Sequence, residues 1–327
     1  LRFSGCGIIL AAINGSVGGK GTGTRMNWTQ KTLRKDIECA GIGLHSGVRV
    51  VMRLRPAPPN TGIMFRRVDL GGAEIPALQE HLQRSNLATT LSNGEASIGT
   101  VEHLLSAAAG LGIDNLIVEV EGEEVPILDG SAAPFIYLMH EAGVRVQQAP
   151  RQFIKILEPL RIEEEDKFVA IYPSDRFKIS YTIDFEHPLI GEQRQTFVIT
   201  PRCFTEQIAP ARTFGFLREV ETLRQNGLAL GGSMENAIVI GDNSILNNQL
   251  RFEDEFVRHK ILDAIGDLVL AGAPMLGHVV AYRAGHALHA GLVECIQNAT
   301  EAWRMVTWED VVYDIASRRP YLVPVQA

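Results

Sequence analysis

The sequence predicts an α+β protein built from two domains of similar size. The chain has 327 residues, which is about twice the length of an average domain. Strand-like segments precede helical segments twice along the chain, and a polar stretch at 147–152 separates the two series. We therefore expect a leader at 1–25, an N-terminal domain at 26–150 and a C-terminal domain at 151–327.

The first half opens with strand-like segments and continues into helices. Partial alternation of apolar residues at 48–55 predicts a strand, which a proline-rich segment at 56–60 ends. Residues 97–109 predict a helix, because apolar residues recur on one face and glycines follow it. A strand is predicted at 115–120 and a second helix at 132–142.

The second half repeats this order. Apolar, β-branched and aromatic residues predict strands at 153–156, 168–172, 178–183 and 279–282. Helical periodicity predicts helices at 216–225, 253–271 and 287–306.

Residues 1–25 differ in composition from the rest of the chain. They are rich in glycine and contain no acidic residue, and their apolar run at 7–13 is too short to span a bilayer. A signal peptide is the alternative to a flexible leader. We expect a leader outside the fold, with Met26 as the physiological start.

Composition and charge exclude several classes of protein. The hydrophobic content of 46% and charged content of 21% exclude extended disorder and fibrous structure. The net charge of −7 argues against nucleic acid as a partner, and no stretch predicts stable membrane insertion. Four cysteines without a CxxC pair predict unpaired thiols in a reducing compartment.

The strongest local signal for chemistry is a set of polar residues within the helix predicted at 253–271. His259, Asp263 and Asp267 are spaced i, i+4, i+8 and therefore share one helix face. A histidine and a carboxylate one turn apart can bind one metal ion. The spacing alone leaves open a solvated charged face or a His–Asp pair that satisfies itself.

Three further segments carry candidate groups. Glu102 and His103 are adjacent on an otherwise apolar helix. Either His103 is a third metal ligand and Glu102 is a base, or His103 is a core histidine and Glu102 lies on the surface. His286 follows a glycine and is either a proton donor or a helix-capping turn residue. Thr213, in the segment ARTFGF at 211–216, can stabilise an oxyanion, or the segment is a buried loop.

Together, these segments resemble the UDP-3-O-acyl-N-acetylglucosamine deacetylase (LpxC) family, the zinc amidases of lipid A synthesis. The resemblance runs from about Thr29 to near the C-terminus, and the leader lies outside it. The matching segments are GIGLHSG (41–47), LRPAPPNTG (54–62), TVEHL (100–104), GIDN (112–115), LDGSAAPF (128–135), ARTFGF (211–216), GGS (231–233), NAIV (236–239), LRFEDEFVRHK (250–260) and GHAL (285–288).

The resemblance implies a fold and an activity. It implies two similar two-layer α/β sandwich domains with the active site between them, and hydrolysis of the N-acetyl group of UDP-3-O-acyl-N-acetylglucosamine to release acetate. An insert of the second domain would lie at about 216–232, where apolar side chains could line a passage for the acyl chain. Two alternatives remain: a zinc amidohydrolase acting on another acylated amino sugar, and a binding homologue without catalysis.

The resemblance also implies roles for individual residues. It implies one zinc ion held by His103, His259 and Asp263. The implied catalytic residues are Glu102 as general base, His286 as general acid, Asp267 as the carboxylate that orients His286, and Thr213 at the oxyanion. The implied substrate contacts are Lys260 at a phosphate, Phe185 at the uracil, Phe214 and His45.

The segment at 88–91 departs from the pattern of some family members. Some family members carry a cysteine near the zinc, where this chain has ATTL at 88–91, so we expect less inhibition by a second metal ion. We further expect a cytoplasmic monomer, and the resemblance implies a Gram-negative-type bacterium. Its partner would be the UDP-linked sugar substrate.

Overall fold

A computed structural model describes residues 29–83, 87–247, 249–307 and 309–310. The leader predicted at 1–25 and the start predicted at Met26 lie outside the described residues. Within them the molecule combines several β-sheets with α-helices, which confirms the predicted α+β class. No helix in this described part of the chain is both long enough and apolar enough to cross a membrane.

The described residues of the first half form ten strands and two α-helices, most of them short. The strands are β1 (Thr29–Leu33), β2 (Ile37–Ile42), β3 (Arg49–Pro56), β4 (Ile63–Arg67), β5 (Ala73–Pro76), β6 (Leu82–Gln83), β7 (Thr90–Ser92), β8 (Ser97–Ile98), β9 (Leu116–Glu121) and β10 (Val144–Pro150). The helices are α1 (Glu102–Leu111) and α2 (Ala133–Ala142).

The main sheet of this half has five strands in the order β2-β3-β9-β4-β5. In β3 the side chains of Val50, Met52 and Leu54 are buried and alternate with more exposed neighbours, as expected of a sheet with one face on the core. Strand β9 pairs antiparallel with β3 and parallel with β4. Strands β1 and β10 form a separate antiparallel pair.

In the second half, the part of the chain that the structure describes forms nine strands and four α-helices. The strands are β11 (Gln152–Ile156), β12 (Leu160–Glu164), β13 (Lys167–Pro173), β14 (Lys178–Phe185), β15 (Gly191–Val198), β16 (Phe214–Phe216), β17 (Ile238–Ile240), β18 (Met275–Tyr282) and β19 (Trp303–Thr307). The helices are α3 (Pro201–Cys203), α4 (Leu217–Gln225), α5 (Glu255–Leu268) and α6 (His286–Asn298).

Strand β18 organises a seven-stranded sheet in this half. It pairs antiparallel with β13 and parallel with both β11 and β14. The five-stranded sheet takes its strands from residues 37–121 and the seven-stranded sheet from residues 152–307, so the two main sheets share no strand. The domain boundary near residue 150 stays a prediction.

Helices α1 and α5 bring the two halves of the chain into direct contact. Both helices are buried on nearly every side, and the contact is close because Gly266 has no side chain. A Cβ atom at Gly266 would lie only 2.1 Å from the backbone oxygen of Glu102. This crossing places the start of α1 beside the C-terminal half of α5, close to the candidate site residues.

Replacing Gly266 by alanine is expected to destabilise the protein by about 1–3 kcal/mol, because the added methyl group forces two helix backbones apart. Gly291 in α6 is the matched control. A Cβ there meets only Ile162 Cγ2 at 3.5 Å, so alanine should be neutral or gain about 1 kcal/mol of helix propensity. Denaturant unfolding measures the free energy of unfolding of both variants. Equal values for the two variants would contradict the close contact.

Two predicted helix boundaries were wrong. The helix predicted at 97–109 starts only at Glu102, because Ser97 and Ile98 form β8 and Thr100 adopts a positive φ of 55°. The helix predicted at 287–306 ends at Asn298, and residues 303–307 form β19, which pairs with β11. Both strands pair with partners outside their own segment, which local periodicity does not reveal.

Candidate metal centre and active site

Helices α1 and α5 place two histidines and one aspartate around a single point. Asp263 Oδ1 lies 3.2 Å from His259 Nε2 and 3.6 Å from His103 Nε2. The two imidazole rings meet nearly edge to face, with centroids 5.0 Å apart. All three residues are at most 4% exposed, so the site is shielded from solvent.

Hydrogen bonds from outside the cluster orient its atoms. His259 Nδ1 donates to the carbonyl of Ala211 at 3.0 Å, which directs Nε2 at Asp263. Lys260 Nζ donates to Asp263 Oδ2 at 2.8 Å. Burial raises the pKa of Asp263, but His259 and Lys260 outweigh it and hold the pKa well below its usual value. The carboxylate is therefore ionised.

The unsatisfied atoms of this cluster fit a metal ion. Asp263 Oδ1 and His103 Nδ1 are buried and have no hydrogen-bond partner among the described residues. Leaving a buried carboxylate oxygen unpaired is costly, and a cation between Asp263 Oδ1 and the Nε2 atoms of His103 and His259 would satisfy it. Two imidazoles and one carboxylate are the ligand set of catalytic zinc sites that keep a fourth position open.

A second cluster, Asp267 with His286 and His289, also has ligand-type atoms within 4.8 Å of one another. Its hydrogen bonds differ from those of the first cluster. His286 Nδ1 and His289 Nδ1 lie 2.8 and 2.7 Å from Asp267 Oδ2, and the Thr89 hydroxyl donates to Asp267 Oδ1. Because these atoms already satisfy each other, the first cluster is the better metal site.

Glu102, the first residue of α1, lies between the two clusters. Its Oε2 accepts the backbone N–H of Thr89 at 3.1 Å, and its Oε1 lies 4.0 Å from His286 Nε2. The side chain is only 3% exposed, so the alternative of a surface glutamate is wrong. Burial raises the pKa of Glu102, although His286 and His103 oppose this effect. A carboxylate with a raised pKa can accept a proton.

His286 has the opposite electrostatic setting. Burial alone lowers the pKa of its imidazole, but the charge and hydrogen bond of Asp267 outweigh it and raise the pKa to about 9. Burial likewise raises the pKa of Asp267, but His286 and His289 lower it more, so this carboxylate stays ionised. His286 is therefore suited to hold and donate a proton at neutral pH.

Aromatic rings cover one side of the metal cluster. The ring of Phe214 lies 6.4 Å from that of His259 and 5.8 Å from that of Phe185. Lys260 Nζ lies 5.7 Å from the centroid of the Phe214 ring. The predicted substrate contacts Phe185, Phe214 and Lys260 therefore occupy one region next to His259.

Thr213 lies in a loop that the structure holds at both ends. Its backbone N–H donates to the carbonyl of Gly130 at 2.8 Å. On the other side, the fully buried Glu255 accepts hydrogen bonds from Arg212 N and Nε at 3.0 and 2.9 Å. These bonds fix the neighbouring carbonyl of Ala211, which orients His259. No hydrogen bond between the Thr213 side chain and the cluster is present among the described residues.

His45 lies in a loop that contacts the second half of the chain. Its backbone N–H donates to the carboxylate of Glu124, and its carbonyl accepts the N–H of Leu230 at 3.1 Å. Its Nδ1 accepts a weak bond from Ala229 N at 3.4 Å, and its buried Nε2 has no partner among the described residues. None of these described bonds reaches the metal cluster.

Sequence reasoning missed three residues of this network: Thr89, Glu255 and His289. Thr89 touches both Glu102 and Asp267, and its hydroxyl is 3.3 Å from His286 Nδ1. The only available signal for His289 was its place three residues after His286 on a helix. Thr89 and Glu255 act on partners far away in the sequence, so no local pattern reveals them.

Comparison with known proteins gives one consistent family. The model of the family "UDP-3-O-acyl N-acetylglycosamine deacetylase" matches residues 30–298. The chain is similar to proteins named UDP-3-O-acyl-N-acetylglucosamine deacetylase, with 51% identity in Methylococcus capsulatus, covering 87% of this chain and 95% of that protein. The protein of this name in Myxococcus xanthus is 52% identical, over 86% of this chain and 90% of that protein. The one in Pseudomonas entomophila is 48% identical, over 91% of this chain and 99% of that protein. The chain therefore belongs to the UDP-3-O-acyl N-acetylglycosamine deacetylase family.

Proposed function

We propose that the protein hydrolyses the N-acetyl group of UDP-3-O-acyl-N-acetylglucosamine, releasing acetate, as a step of lipid A biosynthesis. The names of relatives about half identical to the chain support this reaction. The observation that carries the proposal is the placement of Glu102 Oε1 4.0 Å from His286 Nε2, beside a buried cluster of two histidines and an aspartate. Amide hydrolysis needs a base for water and an acid for the departing amine.

One zinc ion per chain is the proposed cofactor, held by His103, His259 and Asp263. The unpaired Asp263 Oδ1 supports this assignment. When bound there, zinc supplies Lewis acidity, which polarises the amide carbonyl and makes water more acidic. The carbonyl of Ala211 and the ammonium of Lys260 hold the ligands in place before the metal arrives.

The proton transfers fall to two residues in different settings. Glu102 takes a proton from the attacking water, and the N–H of Thr89 holds its other oxygen still. His286 gives its Nε2 proton to the amine nitrogen as the C–N bond breaks, while Asp267 fixes its ring through Nδ1. Thr213 stabilises the negative charge that develops on the amide oxygen.

The substrate is proposed to lie along the aromatic and apolar surface next to His259. Lys260 binds a phosphate, Phe185 and Phe214 contact the nucleoside end, and His45 lies nearby. The acyl chain lies along the surface of α4, against Leu217, Val220 and the aliphatic part of Arg224. We further propose that the protein works as a cytoplasmic monomer, inserts stably in no membrane and binds no nucleic acid.

A deacetylation assay tests this function. Acetate release from UDP-3-O-acyl-N-acetylglucosamine is measured over a series of acyl lengths, with UDP-N-acetylglucosamine as the control lacking the chain. We expect kcat/KM to rise about fourfold per methylene until the chain extends beyond the apolar surface of α4, since each buried methylene contributes about 0.8 kcal/mol. Absence of acetate release from every acylated substrate would overturn the proposal.

The pH dependence of kcat/KM is expected to be bell-shaped. Glu102 is active only when ionised, so activity falls as pH drops through its raised pKa. His286 is active only when protonated, so activity falls as pH rises through its pKa, which is about 9 without the opposing charge of zinc. The dependence of kcat/KM on pH in the His286→Gln variant tests the assignment of the alkaline limb to His286. Retention of the wild-type alkaline limb in that variant would contradict it.

A further inference from the structure

The carboxylate of Asp267 binds more groups than the proposed reaction uses. Its Oδ2 contacts two imidazoles, His286 Nδ1 at 2.8 Å and His289 Nδ1 at 2.7 Å, while Oδ1 accepts the hydroxyl of Thr89. A carboxylate oxygen only accepts hydrogen bonds, so both Nδ1 atoms carry hydrogen. Asp267 and His289 are only 2% and 1% exposed, so water does not compete for these contacts.

The geometry of α6 produces this sharing. His286 and His289 are three residues apart at the start of the helix and therefore lie on one face. Their rings are 6.2 Å apart and nearly perpendicular, and both reach the same oxygen of α5. The two imidazoles thus compete for one acceptor.

His289 is fixed on its other side as well. Its Nε2 lies 3.1 Å from the hydroxyl oxygen of Tyr181, and that hydroxyl donates to the carbonyl of Ala284 at 2.7 Å. Tyr181 is fully buried and packs against the His289 ring with centroids 5.9 Å apart. With both nitrogens engaged and no solvent contact, His289 cannot itself exchange a proton with substrate.

We propose that His289 is a positioning residue that shares Oδ2 of Asp267 with His286, withdraws part of the carboxylate charge and so keeps the His286 proton available for transfer. The inference rests on the proposed role of His286 as proton donor. Two donors on one acceptor weaken each other, because each reduces the negative charge that the other meets. Without His289, Asp267 would hold the His286 proton more tightly.

The other charged groups around His286 indicate in which direction its pKa should change when His289 is removed. Glu102 faces it from α1, and Asp263 and Asp267 face it from α5; all three raise the pKa of His286. Burial lowers this pKa. We expect the hydrogen bond of His289 to Asp267 to lower it as well, because the Nδ1–H partly offsets the carboxylate charge that His286 meets. Removing the His289 hydrogen bond therefore raises the pKa of His286.

Histidine NMR on the zinc-loaded protein tests this coupling without substrate. In His289→Leu, the titration of His286 should move up by about 0.5–1 pH unit, the effect of one hydrogen bond. His289→Asn should restore the wild-type titration if its amide N–H replaces Nδ1–H. In activity assays, the alkaline limb of kcat should move with the His286 titration while KM changes less than about twofold.

Unchanged titration of His286 in a folded His289→Leu variant would overturn the inference. If that variant fails to fold, the wild-type tautomer decides: ¹⁵N spectra must show hydrogen on Nδ1 of His289, and its absence there would also overturn it. Failure of the proposed function is distinct, because it would appear as a wild-type protein without deacetylase activity whatever the NMR titration gives.

Discussion

Replacing Glu102 by glutamine is expected to lower kcat by about 10²–10⁴-fold while the protein keeps its zinc. The amide has the size of the carboxylate and can still accept the N–H of Thr89, so the start of α1 should stay in place. It cannot, however, accept a proton from water. The loss should therefore appear in kcat rather than in zinc content or in folding.

Steady-state kinetics and metal analysis on the same samples measure this result. Glu121→Gln is the matched control, because Glu121 is exposed at the end of β9, outside the site. It should behave as the wild type in both measurements. Wild-type turnover in Glu102→Gln would reject Glu102 as the base, and loss of zinc in that variant would indicate a ligand instead.

Replacing Asp263 by asparagine is expected to lower zinc affinity by at least about 100-fold, more than the 10–100-fold typical of residues that only orient ligands. The substitution keeps the shape of the side chain but removes the negative charge between His103 and His259. It also leaves the ammonium of Lys260 without its carboxylate partner. Deacetylase activity should fall with the bound metal.

Zinc content after dialysis against a weak chelator gives the affinity directly. Thermal unfolding gives a second readout, because zinc that binds only the folded state raises the Tm of the wild type but not of the variant. Glu102→Gln serves as the control that changes a neighbouring buried carboxylate and retains zinc. A full equivalent of zinc in Asp263→Asn would contradict the ligand assignment.

The sequence predicted those parts of the site that depend on one helix or on a distinctive motif. The i, i+4 spacing of His259 and Asp263 placed both on one face of α5, and their atoms lie 3.2 Å apart. The same spacing put Asp267 on that face, but its partners are His286 and His289. The contact between α1 and α5 was expected only from the family resemblance, because the residue spacing within one helix does not reveal which other helix packs against it.

The parts that the sequence did not predict depend on long-range partners. The Thr89 hydroxyl binds Asp267, which is 178 residues away in the chain, and Glu255 holds a loop 43 residues away. Long-range partners also account for the strands at 97–98 and 303–307. Both segments have helical periodicity, but pairing with a neighbouring strand outweighs it. Buried networks of this kind become visible only when the fold places their members together.

The most direct test of the account is a zinc titration of the apo-protein with acetate release from UDP-3-O-acyl-N-acetylglucosamine as the readout. We expect negligible turnover after chelation and a linear recovery that saturates at about one zinc per chain, since a single three-ligand site holds one ion. In Asp263→Asn the same additions should restore little activity. Full activity of the metal-free wild-type protein would contradict the central claim.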